Sequence, residues 1–561
     1  MVVWCVGHPG LRSEYIGSQL RGYVKSRIEK YGLLRSYAFL CAAMVCLALS
    51  ATAQESRSLT APTTAQEPGS GIGGAQSSAA RTVSNDGSCW LQAALPHADA
   101  IYTSAIKARG MVSAPRPRPP EERIQDRVAN SFPANTGVLI YDYIPPWESS
   151  KTYGVGDMVT YLGGVYVSRQ DATATAINPK DDANHWREDD SCAMASAESR
   201  PVLRVWLVSK SGIEGYAAIP FSPEMLDQAL LQFSQSLRFT MAGHRDGSRG
   251  ADIVPDPTAA KTLDDALSQL SRLLIPAEFW HAVRKFEQII LVPQLGIAEV
   301  PFAMLPDPDG LPLIDTTSVW IARSIGDVAG GGDQHDVLDP DGDGEKAITF
   351  DSPLVVGNPM FVSNERLYLP QLPGAEDESK AVSQIMHTTP LLGGEATKKT
   401  VESRARTADV LYFATHGAAI PDDPLAGFLA LAGAPEEGGR WSAKEIQSMD
   451  LSRTNLAVLS ACQTGLGGVH PAGIIGVGRA FTLAGVRWVV MSLWNLDDKA
   501  TSELMQNFIG ELASCKSNAA CLPAVALRRA MLTEKNLNPD PRVWGPFVVF
   551  GVPSGSRLGK H

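Results

Sequence analysis

A cysteine at the end of an apolar strand is the residue of this sequence best suited to nucleophilic chemistry. The stretch Asn455 to Gly465 reads NLAVLSACQTG, and its first half is a short run of branched apolar residues. Such a run is typical of a strand buried on both faces of a sheet. Cys462 follows it, in a turn before a predicted helix near Ile474, where positive backbone dipoles favour a thiolate. Open α/β sheets bind their ligands at this edge.

A histidine holds the same position after a second apolar stretch. Asp409 to Gly417 reads DVLYFATHG, and His416 precedes Cys462 by 46 positions. Two neighbouring parallel strands would bring both side chains to one edge of the sheet. A neutral imidazole beside a thiol can take its proton, and the resulting thiolate is the nucleophile. The spacing therefore predicts a cysteine nucleophile with a histidine general base.

Each of these residues also has a structural interpretation when it is taken alone. A buried cysteine is more often a small core hydrophobe than a nucleophile, and a histidine at a strand end is usually a hydrogen-bonded structural residue. Here both follow an apolar strand and both are followed closely by glycine. This shared pattern favours catalysis by the pair.

The motifs ATHG and SACQTG resemble those of the CHAT family, caspase-like proteins of the clan that includes caspases, gingipains and separases. The resemblance extends over roughly Pro201 to Gly551. Further segments agree with the family pattern: VPFAML at 300–305, LPGAE at 372–376, GEAT at 394–397, SLWNLDD at 492–498 and WGPF at 544–547. The resemblance implies a caspase-like three-layer α/β fold with a mainly parallel sheet. It also implies a cysteine endopeptidase that works through a dyad, and hence a protein or peptide substrate.

Within that dyad we expect Cys462 to attack the scissile carbonyl while His416 moves the proton. The backbone N–H groups of Gly417 and Cys462 are candidates for the oxyanion hole, a contribution often worth about 3 kcal/mol for each donor. No third catalytic residue is evident in the sequence.

A candidate substrate pocket follows the next strand. Trp494, Asp497 and Asp498 are expected near the same edge, where a carboxylate would pair with a Lys or Arg at the cleaved bond. At least one of the two aspartates has an alternative role as the cap of a helix that begins at Lys499.

Composition narrows the classes of function. The 561 residues predict more than one domain, and the formal net charge of −11 with no basic patch excludes a typical nucleic-acid-binding protein. Asp339, Asp341, Asp343 and Gly344, in the acidic loop of residues 329–346, have the spacing of the start of a calcium loop. The twelfth position is Phe350 rather than Glu, so we predict neither a metal nor a cofactor. Nothing in the sequence fixes an oligomeric state.

The N-terminal 53 residues have the form of a signal peptide. Basic residues precede the apolar run Tyr37 to Leu49, and Ala51-Thr52-Ala53 offers a cleavage site. An exported protein, periplasmic or extracellular, is therefore expected; an uncleaved anchor is the alternative. Five cysteines remain after cleavage, and an odd number in an exported protein indicates one free thiol. Pairing Cys89 with Cys192 and Cys515 with Cys521 leaves Cys462 free, although the sequence alone does not determine the pairing.

A small β module is predicted at residues 137–192. Its aromatic pattern resembles a chitin-binding type of carbohydrate-binding module, which implies that Trp147, Tyr166 and Trp186 stack on sugar rings. The same side chains are equally suited to form the core of so small a domain. The first interpretation would give the protein a polysaccharide or cell-wall surface as a partner.

The sequence thus divides into a signal peptide (1–53), a low-complexity and Pro-rich linker (54–136), the β module (137–192), an N-terminal part of the CHAT-like region (193–300) and a catalytic region (301–555). The main hypothesis is an exported cysteine endopeptidase, with a preference for basic residues if the aspartates line its pocket. The alternatives are a non-catalytic CHAT scaffold and a surface-binding protein.

Overall fold

Alternating apolar runs and amphipathic segments fold into an α/β structure, as the sequence predicts. The computed structural model describes residues 135–154, 157–162, 164–169, 178–188, 201–237, 240–241, 253–254, 257–322, 348–362, 369–420, 423–434, 438–461, 468–470, 473–494, 498–515 and 522–551. All of them lie in one unit that spans residues 79–561. The predicted signal peptide, the linker up to residue 134 and the acidic loop before residue 348 lie outside these ranges.

The strands of the first half are β1 (Thr136–Ile144), β2 (Met158–Tyr161), β3 (Gly164–Ser168), β4 (Trp186–Glu188), β5 (Val202–Ser209), β6 (Gly212–Pro220), β7 (Thr240–Met241), β8 (Ile253–Val254), β9 (Gln288–Val292) and β10 (Ser318–Ile321). Those of the second half are β11 (Leu354–Pro359), β12 (Leu391–Gly393), β13 (Val410–Thr415), β14 (Gly417–Ala418), β15 (Phe428–Ala430), β16 (Arg440–Ser442), β17 (Leu456–Ala461), β18 (Gly468–His470), β19 (Gly473–Ile475), β20 (Trp488–Ser492) and β21 (Phe547–Gly551).

The α-helices are α1 (Pro223–Ser236), α2 (Pro257–Leu274), α3 (Trp280–Val283), α4 (Pro373–Ile385), α5 (Lys398–Ala405), α6 (Ala443–Gln447), α7 (Val477–Leu483), α8 (Asp498–Ser514), α9 (Pro523–Leu537) and α10 (Pro541–Trp544). Short 3-10 turns are described at Ala277–Phe279, Leu295–Glu299, Phe302–Met304, Leu313–Asp315 and Pro424–Ala426. Within the described ranges, no helix is both long and apolar enough to cross a membrane.

An eleven-stranded sheet forms the centre of the fold, in the order β12-β11-β13-β17-β20-β21-β10-β9-β1-β5-β6. Its strands pair in parallel except at β20–β21, β1–β5 and β5–β6. The predicted mainly parallel α/β fold is therefore confirmed. β20 and β21 meet in antiparallel fashion, so the strands on the two sides of that junction run in opposite directions.

Helices cover both faces of the sheet around β13 and β17, which gives the predicted three layers. Val410 and Tyr412 pack in one hydrophobic cluster, which also contains buried residues of α4, α8 and α9. Leu411 and Phe413 pack in the other, which contains buried residues of α5, α6 and α7. Alternate residues of β13 point to opposite faces of the sheet. Because both faces are covered, every side chain of β13 is buried. This burial explains the nearly continuous apolar text of the strand.

The structure corrects one predicted domain boundary. Strand β1 pairs with β5 and β9 in the large sheet, so the small module does not begin at residue 137. Its separate part is the antiparallel sheet β2-β3-β4. The large sheet also includes strands from both 193–300 and 301–555, and these two predicted regions therefore share one sheet.

Candidate active site

Strands β13 and β17 are direct parallel neighbours, as the sequence predicts. Their register aligns Ala414 with Ser460 and Thr415 with Ala461, the last residue of each strand. His416 is the next residue of one chain segment and Cys462 is the next residue of the other. Cys462 itself lies outside the described residues. The two strands therefore end at matching positions of one sheet edge, each directly before a candidate catalytic residue of the sequence.

The imidazole of His416 is held by a backbone carbonyl. Its Nε2 lies 2.7 Å from the carbonyl oxygen of Pro370. Because a carbonyl oxygen only accepts hydrogen bonds, Nε2 must carry the hydrogen, and Nδ1 is the acceptor of the neutral ring. Phe361 packs edge-on against this ring, with centroids 6.4 Å apart. The contact with Pro370 therefore selects the neutral tautomer in which Nδ1 carries no hydrogen.

The backbone at His416 and Gly417 is fixed by a second, smaller sheet. The carbonyl of His416 accepts a hydrogen bond from the N–H of Ala430 at 2.9 Å, and the Thr415 hydroxyl donates to the Ala430 carbonyl at 2.8 Å. Gly417 is paired with Leu429 in β15. Since hydrogen-bonded and non-hydrogen-bonded pairs alternate in an antiparallel ladder, the N–H of Gly417 points away from β15. This direction is compatible with the predicted role of Gly417 in an oxyanion hole.

The Pro370 carbonyl is the part of the site that the sequence did not reveal. Every residue has a carbonyl, so no residue type marks one that orients a histidine. Its position was the one sequence feature that could have indicated it: Pro370 lies just before the LPGAE segment, within which α4 begins. A parallel sheet with α4 packed against β11 and β13 brings that segment to the edge where β13 ends.

A buried polar contact attaches α4 to β13 beneath the site. The Tyr412 hydroxyl donates to Oε1 of Glu378 at 2.6 Å, and both side chains are buried. Burial and the neighbouring Glu378 raise the pKa of Tyr412 well above its usual value. The phenol therefore stays protonated and remains a hydrogen-bond donor at any physiological pH.

Trp494 is a core residue, which corrects its prediction as part of a substrate pocket. It is 6% exposed, its ring packs against Phe233 with centroids 5.5 Å apart, and its Nε1 donates to the Arg542 carbonyl at 3.1 Å. Asp498 is the first residue of α8, and Asp497 lies outside the described residues. The proposed roles of the two aspartates stay predictions.

The aromatic residues of the small β unit form its core. Tyr166 and Trp186 are 4% and 2% exposed, and they cluster with Tyr153 and Val159. Trp147 is half-buried and packs edge-on against Tyr161 at 5.4 Å. The ring faces of Tyr166 and Trp186 are therefore not available for stacking on a sugar. This arrangement favours the core interpretation of the pattern.

Among the cysteines, only Cys515 lies within the described residues, where it is disulfide-bonded. Cys89, Cys192, Cys462 and Cys521 lie outside the described residues, so the predicted pairings stay predictions. No group of three or more potential metal ligands occurs in the part of the chain that the structure describes.

Glu299 is a half-buried carboxyl at the end of the 3-10 turn Leu295–Glu299. This turn contacts α1 and the hairpin of β18 and β19, which follows the Cys462 motif in the chain. Burial, together with the charge of Asp227 on α1, raises the pKa of Glu299 to about 7. The folded protein therefore binds this proton more tightly than the unfolded chain does.

We expect Glu299→Gln to change how stability depends on pH. The stabilisation from the neutral Glu299 carboxyl is complete below pH 4.5, the ordinary pKa, and is lost as pH rises through about 7. The loss amounts to at most about 3 kcal/mol. Urea unfolding should show that the variant is more stable than the wild type at pH 8 and no more stable at pH 5. The exposed Glu278, changed to Gln, is the matched control. An equal difference at both pH values would contradict the prediction.

Known proteins resemble the C-terminal half of the chain. The CHAT domain model matches residues 264–552, just over half of the sequence, and so begins later than the resemblance predicted from Pro201. Human tetratricopeptide repeat protein 28 is 25% identical over 233 residues, which are 35% of this chain and 9% of that protein. The mouse protein of the same name is 25% identical over 232 residues, with the same coverage. The chain thus spans less than a tenth of the length of these curated relatives.

Two solved structures are similar at low identity. The Arg-specific cysteine proteinase gingipain R has a TM-score of 0.33 and 12% identity, over 54% of this chain and 68% of that one. The separase of Saccharomyces cerevisiae, in complex with securin, has a TM-score of 0.42 and 10% identity, over 77% of this chain and 30% of that one. CHAT domains belong to the caspase-like clan of cysteine peptidases. On the match to residues 264–552, this chain belongs to the CHAT-domain family.

Proposed function

We propose that this protein is a cysteine endopeptidase whose dyad is Cys462 and His416. The observation that carries the proposal is the parallel ladder in which β13 and β17 end at matching residues directly before the histidine and the cysteine. The Nε2 contact to Pro370 adds a histidine already in the tautomer of a general base. Membership of the CHAT family supports the same assignment.

Covalent geometry limits how far apart the two residues lie. Consecutive Cα atoms are about 3.8 Å apart, and paired strands lie about 4.8 Å apart. Since Thr415 and Ala461 are paired, the Cα atoms of His416 and Cys462 are separated by no more than about 12 Å. A separation of this size is compatible with a dyad.

The proposed reaction uses this arrangement in two steps. In the first, Nδ1 of His416 takes the thiol proton, and the Cys462 sulfur forms a bond to the scissile carbonyl carbon. The C–N bond then breaks, and the proton passes from His416 to the leaving amine. In the second, His416 takes a proton from water, the hydroxyl attacks the thioester, and the C–S bond breaks. The thiolate recovers the proton through His416.

The backbone supplies the negative-charge stabilisation in both steps. The N–H groups of Gly417 and Cys462 would donate to the oxyanion of the tetrahedral intermediate. The N–H of Gly417 points away from β15, which supports this assignment. Asp497 and Asp498 would receive a Lys or Arg side chain of the substrate, because hydrogen bonds between a carboxylate and a cationic donor are stronger than those between neutral groups.

A panel of fluorogenic peptides tests the proposal. The mature protein is incubated with peptides that end in Arg, Lys, Asp or Leu, beside Cys462→Ala. We expect cleavage after Arg or Lys and none in the variant. Cleavage after Asp or Leu alone would contradict the preference for basic residues and would still support the peptidase assignment. If no peptide is cleaved and no thiol-reactive probe labels Cys462, the protein is a non-catalytic CHAT scaffold.

We further propose that the protein is exported. The N-terminal segment with its basic residues, its apolar run and its Ala51-Thr52-Ala53 site supports a removable leader. Mass spectrometry of the mature N-terminus should find it directly after Ala53. An intact Met1 in the folded protein would contradict removal of the leader.

A further inference from the structure

Asn358 lies at an irregular point of strand β11, close to the histidine. The pairing of β11 with β12 shifts register between Gly357 and Pro359, so Asn358 is the additional residue. Its φ is +41°, in the left-handed region that Asn tolerates better than most residues. Bulges of this kind redirect a side chain and are frequent beside active sites. Here the bulge directs the Asn358 side chain toward α4.

The amide of Asn358 is 7% exposed and makes two hydrogen bonds with the start of α4. Its Oδ1 accepts from the N–H of Leu372 at 2.7 Å, and its Nδ2 donates to Oε2 of Glu376 at 3.2 Å. Glu376 also accepts from Nζ of Lys380 at 2.7 Å. Lys380 and Asn358 together hold the pKa of Glu376 below its usual value. The carboxylate is therefore ionised, and the amide has a single favourable orientation.

Leu372 is only two residues from Pro370, whose carbonyl accepts from Nε2 of His416. Two hydrogen bonds and the short segment from Pro370 to Leu372 thus link the Asn358 amide to the imidazole. Gly357, just before Asn358, makes this close approach feasible, because a Cβ at that position would lie 2.1 Å from Oγ of Ser379 on α4. Phe361, three residues after Asn358, packs on the imidazole itself.

We propose that Asn358 is a positioning residue for the dyad: it fixes the Pro370 carbonyl, and through it the tautomer and orientation of His416. The inference rests on the proposed function of His416 as general base. A misplaced carbonyl would let the ring turn or change tautomer, so that the hydrogen occupies Nδ1 and the base is lost. Asn358 makes no contact with substrate in this account.

The test uses Asn358→Gly, which removes the amide while it keeps the left-handed backbone favourable. We expect kcat for the cleaved peptide to fall about 10- to 100-fold with KM nearly unchanged, as for a small displacement of a catalytic group. The second readout is the rate at which iodoacetamide alkylates Cys462, followed by peptide mass spectrometry from pH 5 to 9. At pH 6.5 the wild type should be alkylated faster than His416→Ala. We expect Asn358→Gly to lose this difference.

A double variant separates positioning from a general loss of structure. Asn358→Asp with Glu376→Gln retains the acceptor for the Leu372 N–H and reverses the direction of the side-chain hydrogen bond. One negative charge is retained, and Asp tolerates the same φ. We expect this pair to recover most of the alkylation rate, whereas Asn358→Asp alone, beside the ionised Glu376, should not.

The outcomes distinguish the inference from the proposed function. If alkylation of wild-type Cys462 does not depend on His416, the proposed dyad is wrong. If it does depend on His416 and Asn358→Gly leaves both the rate and its pH profile unchanged, only the role of Asn358 is wrong. If the double variant fails to recover the rate while its thermal unfolding matches that of the wild type, the hydrogen-bonded chain through Leu372 is also contradicted.

Discussion

His416→Ala is expected to lower kcat/KM for peptide cleavage by about 10²- to 10⁴-fold, the usual contribution of a general base. The variant removes both the proton acceptor of Cys462 and the donor to the leaving amine. It also leaves the Pro370 carbonyl without its N–H partner. Cys462→Ala should abolish cleavage, because no covalent intermediate can then form.

His281→Ala is the matched control for that change. His281 is exposed on α3, and its substitution should leave cleavage within about twofold of the wild type, in line with the small effects of surface changes. The combination His416→Ala with Cys462→Ala should be no worse than Cys462→Ala alone, since residues that act as a unit are not additive. Full activity in His416→Ala would show that the structure holds this histidine for another reason.

Arg204→Met is expected to destabilise the fold by about 3–5 kcal/mol, the cost of an uncompensated buried charge. Arg204 and Asp142 are each 1% exposed and form an ion pair between β5 and β1. Nε of Arg204 donates to Asp142 at 2.9 Å, and its Nη2 lies 3.5 Å from the sulfur of Met158 in the small β unit. Nε2 of Gln294 also donates to Asp142, at 3.3 Å. The pair thus joins the large sheet, the small unit and the segment before the 3-10 turn Leu295–Glu299.

Urea unfolding followed by circular dichroism measures this effect as a lower midpoint. Arg529→Met is the matched control, because Arg529 pairs with Glu511 on an exposed surface, where an ion pair contributes only about 0–1 kcal/mol. The double change Asp142→Leu with Arg204→Met should be much less destabilising than Arg204→Met alone, since it leaves no buried charge unpaired. Equal losses in the single and double variants would show that packing rather than charge is responsible.

The strands around the site were predictable because their apolar residue pattern is typical of buried strands. The apolar runs of β9, β13, β17 and β20 are buried on both faces, and such strands have few polar residues to obscure the pattern. The pairing of β13 with β17 followed from the motif at the end of each strand, since parallel strands present their ends at one edge. Strand β1 is also largely apolar, TGVLIYDYI, with Asp142 as its charged residue. Its assignment to the small module was wrong, because β1 pairs with β5 and β9, whereas the aromatic pattern that follows it belongs to the sheet β2-β3-β4.

Local sequence predicted the secondary structure less well after Cys462. A helix was predicted from Ile474, but Ile474 lies in β19, and α7 begins at Val477. The β-branched pair Ile474-Ile475 favours a strand once Gly468–His470 is available as a partner. Trp494 was predicted to line a substrate pocket because it follows β20. Its burial in the core depends on Phe233 of α1, which is far away in the sequence. Such long-range contacts carry no local signal.

The Pro370 carbonyl and the Asn358 amide were not predictable for a related reason. Both act through hydrogen bonds between segments that are distant in sequence, and neither residue type is specific for catalysis. The bulge at Asn358 becomes visible only in the register of β11 with β12. The sequence thus predicts the reacting groups, Cys462 and His416, while the groups proposed to orient them emerge only from tertiary structure.

The pH dependence of Cys462 alkylation tests the central claim most directly. Iodoacetamide reacts with the thiolate, so its rate reports the ionisation of this cysteine without the need for a known substrate. A thiol paired with His416 should react well below pH 8.5, the usual thiol pKa, and this reactivity should disappear in His416→Ala and persist in His281→Ala. If Cys462 reacts only near pH 8.5 in all three proteins, the two residues do not form a catalytic pair and the peptidase assignment is wrong.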